Sequence, residues 1–327
     1  MITRRGVIAG TVLVAAPAIV RAQATVRLRV STAAPPSDFL AKCLEQFKSD
    51  VEGAKAGLSV EVYPAGALFK QGTEVPALQR GTLEMSTMTT FEVAQQLAAY
   101  GFFNRGYLFR DYAHMRRVFD GTLADDYRQV VGEKMGIEIL STLYLGTRQV
   151  NLRKKRVVKG PDDLAGVKMR MPGGPEWLLL GRALGLNAVP MGMPEVYLAM
   201  KTGTVDGQEN PLSILSAAKL YEVSEQVVLT AHMVQPVFIN IASPVWGKLG
   251  TEQKAVLKTA AVRAARTNDE GRLADEKTIM EALKGRDMAV DMPDLAAFRA
   301  RADKVYAEAE SSKVWDQAAM KRVTDAA

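Results

Sequence analysis

The sequence predicts an α/β protein of two lobes bridged by one long helix, and three observations carry that reading. From Thr25 onward short apolar stretches alternate with amphipathic helical ones, the pattern of helices layered on largely parallel sheets. The alternation starts afresh beyond Gly146, as if a second α/β unit began there. From Thr251 to Lys284 the pattern stays helical for about 33 residues, roughly 50 Å at the standard rise, which is long enough to reach both lobes. The 327 residues are ample for two separately packed cores and many for one.

The elements follow in order. Val26 to Thr32 reads as a strand, and Asp38 to Glu52 as a helix whose apolar face is Phe39, Cys43, Phe47 and Val51, with Ser37 placed to cap it. Leu58 to Tyr63 is a second strand, stopped by Pro64. A helix through Val75 and Leu78 ends at Gly81, and Glu84 to Thr90 returns as a third strand, completing two βαβ units. Asp111 to Gly121 and Leu123 to Gly136 read as helices, and Ile137 to Tyr144 as a strand. A turn at Gly146-Thr147-Arg148 then presents an arginine. Pro161 to Gly166 is a short helix, Val167 to Met171 a strand, Pro175 to Gly185 and Pro194 to Thr202 helices, and Val227 to Thr230 a strand. In the long helix Gly271 is the weak point, and the small residues Ala260, Ala264 and Thr267 suit close packing more than a coiled coil.

The first residues read as an export signal. Arg4 and Arg5 precede an apolar run from Val7 to Val20, and Ala22-Gln23-Ala24 is the small-x-small pattern cut by signal peptidase. Gly10 and Pro17 interrupt the run, which falls short of the roughly 18 to 20 apolar residues of a membrane span. Thr3-Arg4-Arg5 also fits a twin-arginine signal, with Val7 where that motif usually holds Phe, so both export routes stay open. A signal over residues 1–24 implies a periplasmic protein. Losing Arg4, Arg5 and Arg21 with it lowers the formal charge from +6 to +3, with acidic and basic residues interspersed, which does not indicate a nucleic-acid surface. Cys43 is the single cysteine, so no internal disulfide or thiolate metal cluster can form, and its helical spacing makes it a core thiol.

Catalytic signatures are missing. The sequence holds no Gly-x-Ser-x-Gly turn, no His-Glu-x-x-His pair, no phosphate-cradling loop and no dinucleotide fingerprint, and neither metal nor cofactor is expected. Of the two histidines, His114 beside Arg116 and Arg117 is expected at the solvated surface, and His232, just past Val227 to Thr230, in a structural hydrogen bond. Glu195 opens a helix, where its charge suits the dipole, and Asp206 fixes a turn with Gly207, so these and Glu209 do not form a catalytic carboxylate pair.

The informative segments lie between Gly146 and Pro211: Gly146-Thr147-Arg148-Gln149, Lys168-Met169-Arg170-Met171-Pro172, Val189-Pro190-Met191, Pro194-Glu195-Val196-Tyr197 and Thr202-Gly203-Thr204-Val205-Asp206-Gly207-Gln208-Glu209-Asn210-Pro211. With Tyr63-Pro64 and Arg80-Gly81-Thr82-Leu83-Glu84 in the same order and spacing, the chain resembles the DctP-like substrate-binding proteins of tripartite ATP-independent periplasmic (TRAP) transporters. The resemblance implies the two-lobed periplasmic solute-binding protein fold. It places lobe I at residues 25–147 and 236–275, lobe II at 148–235 and 276–327, and the ligand between them.

By the same resemblance Arg170 forms a two-pronged salt bridge to the ligand carboxylate, a role that the planar guanidinium and its permanent charge suit. Arg148 takes the place of a second arginine, although Arg153, Lys154, Lys155 and Arg156 nearby also fit a solvated basic hairpin. Asn210 falls at the family's amide contact. Ser31, Gln71 and Thr89, with Met88 and Phe91 nearby, occupy first-lobe positions that are polar or charged in sialic-acid binders, and Met193 stands where the family often has an aromatic. These assignments imply a small organic carboxylate, either a monocarboxylate with a partly apolar body or a C4-dicarboxylate-like acid using both arginines. The expected partners are TRAP permease subunits, with no nucleic acid, and the expected state is a monomer. Two rival readings remain: a binding protein for an ATP-driven importer or sensor, which usually lacks the Asp-Gly-Gln-Glu-Asn-Pro segment, and an exported enzyme, which would turn over its bound acid.

Overall fold

The computed structural model describes residues 25–326, so the export signal expected at residues 1–24 lies outside the described residues. The first unit comprises β1 (Val26–Ser31), α1 (Phe39–Gly53), β2 (Leu58–Tyr63), α2 (Glu74–Gln79) and β3 (Met85–Thr89). Three helices follow: α3 (Thr90–Ala94), α4 (Tyr112–Phe119) and α5 (Thr122–Met135). A long strand, β4 (Ile137–Leu152), leads into the second unit of β5 (Lys168–Met171), α6 (Pro175–Ala183), β6 (Asn187–Pro190), α7 (Val196–Thr202), β7 (Gly207–Pro211) and α8 (Leu212–Ala217). The chain returns through β8 (Gln226–Ala242), α9 (Ser243–Trp246) and α10 (Thr251–Lys284), and ends with β9 (Ala289–Asp291), α11 (Leu295–Glu308) and α12 (Gln317–Asp325).

All nine strands join one mixed sheet in the order β2-β1-β3-β8-β4-β7-β5-β6, with β9 beside β8. At one end β1 pairs parallel with β2 and β3, and at the other β5 pairs parallel with β6 and β7. The long antiparallel pair β4 and β8 runs through the middle and belongs to both ends. The early half of α10 packs Leu257, Ala261 and Ala264 into a core with Leu28 and Phe47, while its late half packs Ile279 and Leu283 with Val196 and Met200. The helix therefore serves two cores, as its length predicts. Gly271 is not merely a weak point: a Cβ there would come within 2.7 Å of the Phe39 ring, so its absence lets α1 and α10 approach.

Several expectations fail for identifiable reasons. No turn forms at Gly146; β4 continues through Arg148, with bulges between Tyr144 and Gly146 and between Arg148 and Val150. Such bulges break the period of two that marks a strand, so a continuous strand reads as strand then turn. Likewise β8 does not end at Thr230, because residues 229–232 bulge out, with Ala231 at φ +41°, and the strand resumes. Asp38, not Ser37, caps α1: its Oδ1 accepts from Leu40 N at 2.8 Å, while the Ser37 hydroxyl donates to Ala217 O. His114 is buried, its Nε2 lying 2.8 Å from Val323 O, because α12 folds over it from across the sequence. Thr267 is exposed and Asn268 takes the inward place expected of it. At the C-terminal end α11 packs on α6, and α12 lies on α4 and α5, with Arg322 bound to Asp126.

The bulge at Gly146 is tightly built. Its φ is +125°, a Cβ would stand 2.5 Å from the Pro211 side chain, and Glu276 of α10 braces the site by accepting from Tyr144 Oη at 2.7 Å and from Thr147 N. Gly146→Ala is expected to lose about 1 to 3 kcal/mol of stability from backbone strain, measured by denaturant unfolding; an unchanged midpoint would show that the bulge relaxes freely.

Candidate functional site

The two parallel ends of the sheet point their strand ends into a crevice of about 810 Å³ including its open mouth. Loops after parallel strands collect at such places because the strands share one direction. The first end contributes Thr32, Asp38, Gln71, Thr87, Met88 and Thr89, the second Arg148, Arg170, Trp177, Met193 and Asn210, and the crossing strand β8 Gln235 and Val237.

Arg170, third residue of β5, is 1% exposed. Its Nε donates to Met191 O at 2.9 Å and its Nη2 to Gln71 Oε1 at 3.2 Å, while Nη1 has only the Met193 sulfur at 3.9 Å. Among the described residues no carboxylate lies within ion-pair distance of it. Burial pushes the guanidinium down to about 9, against the pull of Glu209 and with the added push of Arg148. At neutral pH it is still a cation, desolvated and holding unspent N–H groups in a fork.

Arg148 lies in the same crevice with its charge already answered. Nε and Nη2 reach the Glu209 carboxylate at 2.5 and 2.7 Å, Nη2 also bonds Glu209 O, Nη1 bonds Gln235 Oε1, and the guanidinium stacks over Trp177. Burial would raise the Glu209 carboxyl, but Arg148 and His232 hold it below its ordinary value. His232, wholly buried, links Glu209 to Thr230, and burial pushes its imidazole down. The arrangement is a closed charge network with one Nη1 hydrogen left over, unlike the open fork of Arg170.

The other expected residues divide. Gln71 touches the site directly, its Oε1 accepting from both Arg170 and Met193 N. Met193 and Asn210 lie side by side, with Asn210 Nδ2 at 2.6 Å from Gln208 Oε1. Thr89 lines the crevice, but its hydroxyl donates to Glu92 within the capping box of α3. Ser31 is buried and does not line the crevice; its neighbour Thr32 does, bonded to Thr87. A one-residue error along a strand flips the face, and that is the error here. Phe91 is reached only indirectly, stacked on Trp177 at 3.5 Å. Sequence reasoning missed Trp177, Asp38, Glu74 and Glu92. An aromatic two residues into the helix after the Arg170 strand was the available signal for Trp177; the three acids carried none, since capping and solvated acids look alike.

The profile of the family described as bacterial extracellular solute-binding protein, family 7, matches residues 30–313. A solute-binding protein of Verminephrobacter eiseniae is 31% identical over 307 residues, which cover 93% of this chain and 90% of that one. A crystal structure of a TRAP periplasmic solute-binding protein from Roseobacter denitrificans, with 3-deoxy-D-manno-oct-2-ulosonic acid bound, is similar at 37% identity and a TM-score of 0.89, covering 93% of this chain and 100% of that one. A second, from a Bordetella species with pantoate assigned to its density, shares 30% identity at a TM-score of 0.85, covering 92% and 99%.

Two consequences of the site's electrostatics are testable. Glu209→Gln leaves Arg148 buried without an opposite charge and is expected to cost about 3 to 5 kcal/mol in denaturant unfolding; a loss below about 1 kcal/mol would mean that solvent reaches the pair. Glu74 accepts from Gly72 N, and burial, with Glu92 adding, raises its carboxyl from 4.5 to about 7. Between those values the folded chain keeps a proton that the unfolded chain has lost, so this group makes stability fall as pH rises through the window. Glu74→Gln is therefore expected to raise Tm at pH 8 and leave it nearly unchanged at pH 4; an equal shift at both would contradict the assignment.

Proposed function

This chain belongs to family 7 of the bacterial extracellular solute-binding proteins, the DctP-like binding proteins of TRAP transporters, and from that premise we propose that it captures an organic acid in the periplasm through a single carboxylate and delivers it to TRAP permease subunits. The observation that carries the reading is Arg170: a buried cation with N–H groups to spare and, among the described residues, no carboxylate partner. Such a group is costly to bury unless something supplies the missing charge. A ligand carboxylate supplies it in the bidentate geometry that guanidinium favours.

The relatives with bound 3-deoxy-D-manno-oct-2-ulosonic acid and pantoate support an organic acid as ligand. A dicarboxylate gripped by both arginines fits less well, because Glu209 already neutralises Arg148. Gln71, on the first lobe, bonds Arg170 and Met193, on the second, so the proposed lobes meet at the anion site. Closure of the cleft around the carboxylate follows from that placement, with the ligand gaining first-lobe contacts only in the closed form. The export signal at residues 1–24 and the family's extracellular character support the periplasmic location.

Arg170→Ala is expected to cost about 2 to 5 kcal/mol in affinity, since a desolvated carboxylate loses its partner. Thermal-shift screening with organic acids followed by calorimetry of the tightest ligand measures it. Unchanged affinity would remove Arg170 from the site.

A further inference from the structure

An aromatic ring crosses between the two ends of the sheet. Phe91 is the second residue of α3, which starts where β3 ends on the first end, and the capping box of Thr89 and Glu92 fixes that start. Its ring does not stay with the first end. It is buried in an apolar cluster whose other buried members come from residues 150–233 and from Phe298 of α11. There it stacks on Trp177, the third residue of the helix that follows the Arg170 strand, with ring centroids 3.5 Å apart and planes 7° from parallel. Trp177 lines the cleft and carries the Arg148 guanidinium over its ring at 4.9 Å, so Phe91 stands directly behind the cleft wall.

Two contacts of unlike kind therefore join the ends at this cleft. Gln71 makes the polar one, to Arg170 and to Met193 N, and Phe91 makes the apolar one. If the ends part, water replaces the hydrogen bonds at small net cost. Parting the rings exposes apolar surface on both and loses the stack, and water replaces neither. Further along the chain the same segment is tied to the second side, where Gly106 N donates to Tyr306 Oη and Tyr107 N to His232 O, both at 2.9 Å. The stretch from Thr89 to Tyr107 thus runs from one end of the sheet to the other. Phe91 sits at its start, with its backbone set by β3 and its ring set in the second core, so a shift of one end against the other pulls on this residue directly.

We propose that Phe91 is a positioning residue for ligand capture, whose ring latches the cleft shut around a bound acid and holds Trp177, with Arg148 upon it, in the cleft wall. Phe91 acts through Trp177 and touches no part of the acid. This inference rests on the reading of the cleft as an organic-acid site anchored at Arg170. A ligand enclosed by closure leaves only after the cleft reopens, so a latch slows dissociation and leaves association nearly unchanged.

The test is stopped-flow kinetics on the mature chain, freed of co-purifying ligand, with the tightest acid of a panel that includes 3-deoxy-D-manno-oct-2-ulosonic acid, pantoate, galactonate and glucuronate in excess. Phe91→Ala is expected to raise koff about tenfold or more, through loss of the stack and of the ring's burial together, with kon within about twofold. Phe91→Leu, which keeps most of the apolar volume and serves if Phe91→Ala does not fold, is expected to raise koff about two- to twelvefold from the lost stack alone. In a Trp177→Leu background the same Phe91→Leu change is expected to add less than about twofold, because the stack is already gone. With ligand in excess the rate constants report on folded molecules, so lost stability by itself cannot mimic the result. The inference is overturned if koff is unchanged in both Phe91 variants while Arg170→Ala still weakens binding, or if the loss falls on kon instead; Phe91 would then be a core residue that stays with the second end in every state. Failure of every acid to bind the unaltered protein would instead overturn the organic-acid reading itself, and this inference with it.

Discussion

A guanidinium held away from water with no opposite charge beside it is a standing cost to the folded protein, and the cleft is organised around that cost at Arg170. The backbone carbonyl of Met191 and the amide oxygen of Gln71 orient the group without neutralising it. Both contacts are dipoles, so the charge stays available to an anion. Because Gln71 reaches across from the β1–β3 end of the sheet, the two ends meet at the point where the missing charge would sit. One side chain thereby links the two ends of the sheet at Arg170.

The remainder of the molecule supplies rigidity around that point. The long strands β4 and β8 tie both ends of the sheet into one piece, and α10 repeats the tie from outside, with Arg272 bonded to Asp38 at the first end and Ser213 at the second. The bulge at Gly146, braced by Glu276, lies in the middle of β4, between the two parallel ends of the sheet. Arg148, Glu209 and His232 form a satisfied network directly beneath the cleft. A neutralised arginine next to an unpaired one leaves the excess positive charge of the pair on Arg170.

What the sequence made legible was local. The βαβ units, the bounds of the Thr251–Lys284 helix and the strand carrying Arg170 followed from periodicity of two or 3.6 and from punctuation by glycine and proline. The proposal of Arg170 as a ligand residue rests on motif resemblance, since a lone arginine at a strand end has no distinctive pattern. What stayed hidden was nonlocal or irregular. Bulges at Gly146 and Ala231 disguised two long strands as short ones, and the α12 fold-over that buries His114 left no trace near His114. Ser31 was placed one residue off the face that Thr32 occupies. The ion pair between Glu209 and Arg148 left no sequence signal because the two residues are 61 positions apart.

The most direct test of the account is a crystal structure of the protein with a tightly bound organic acid. It predicts both carboxylate oxygens within about 3 Å of Arg170 nitrogens, in fork geometry, with the Arg148–Glu209 pair intact. An acid seated on Arg148 with Glu209 displaced, and Arg170 still turned only toward Met191 and Gln71, would contradict it.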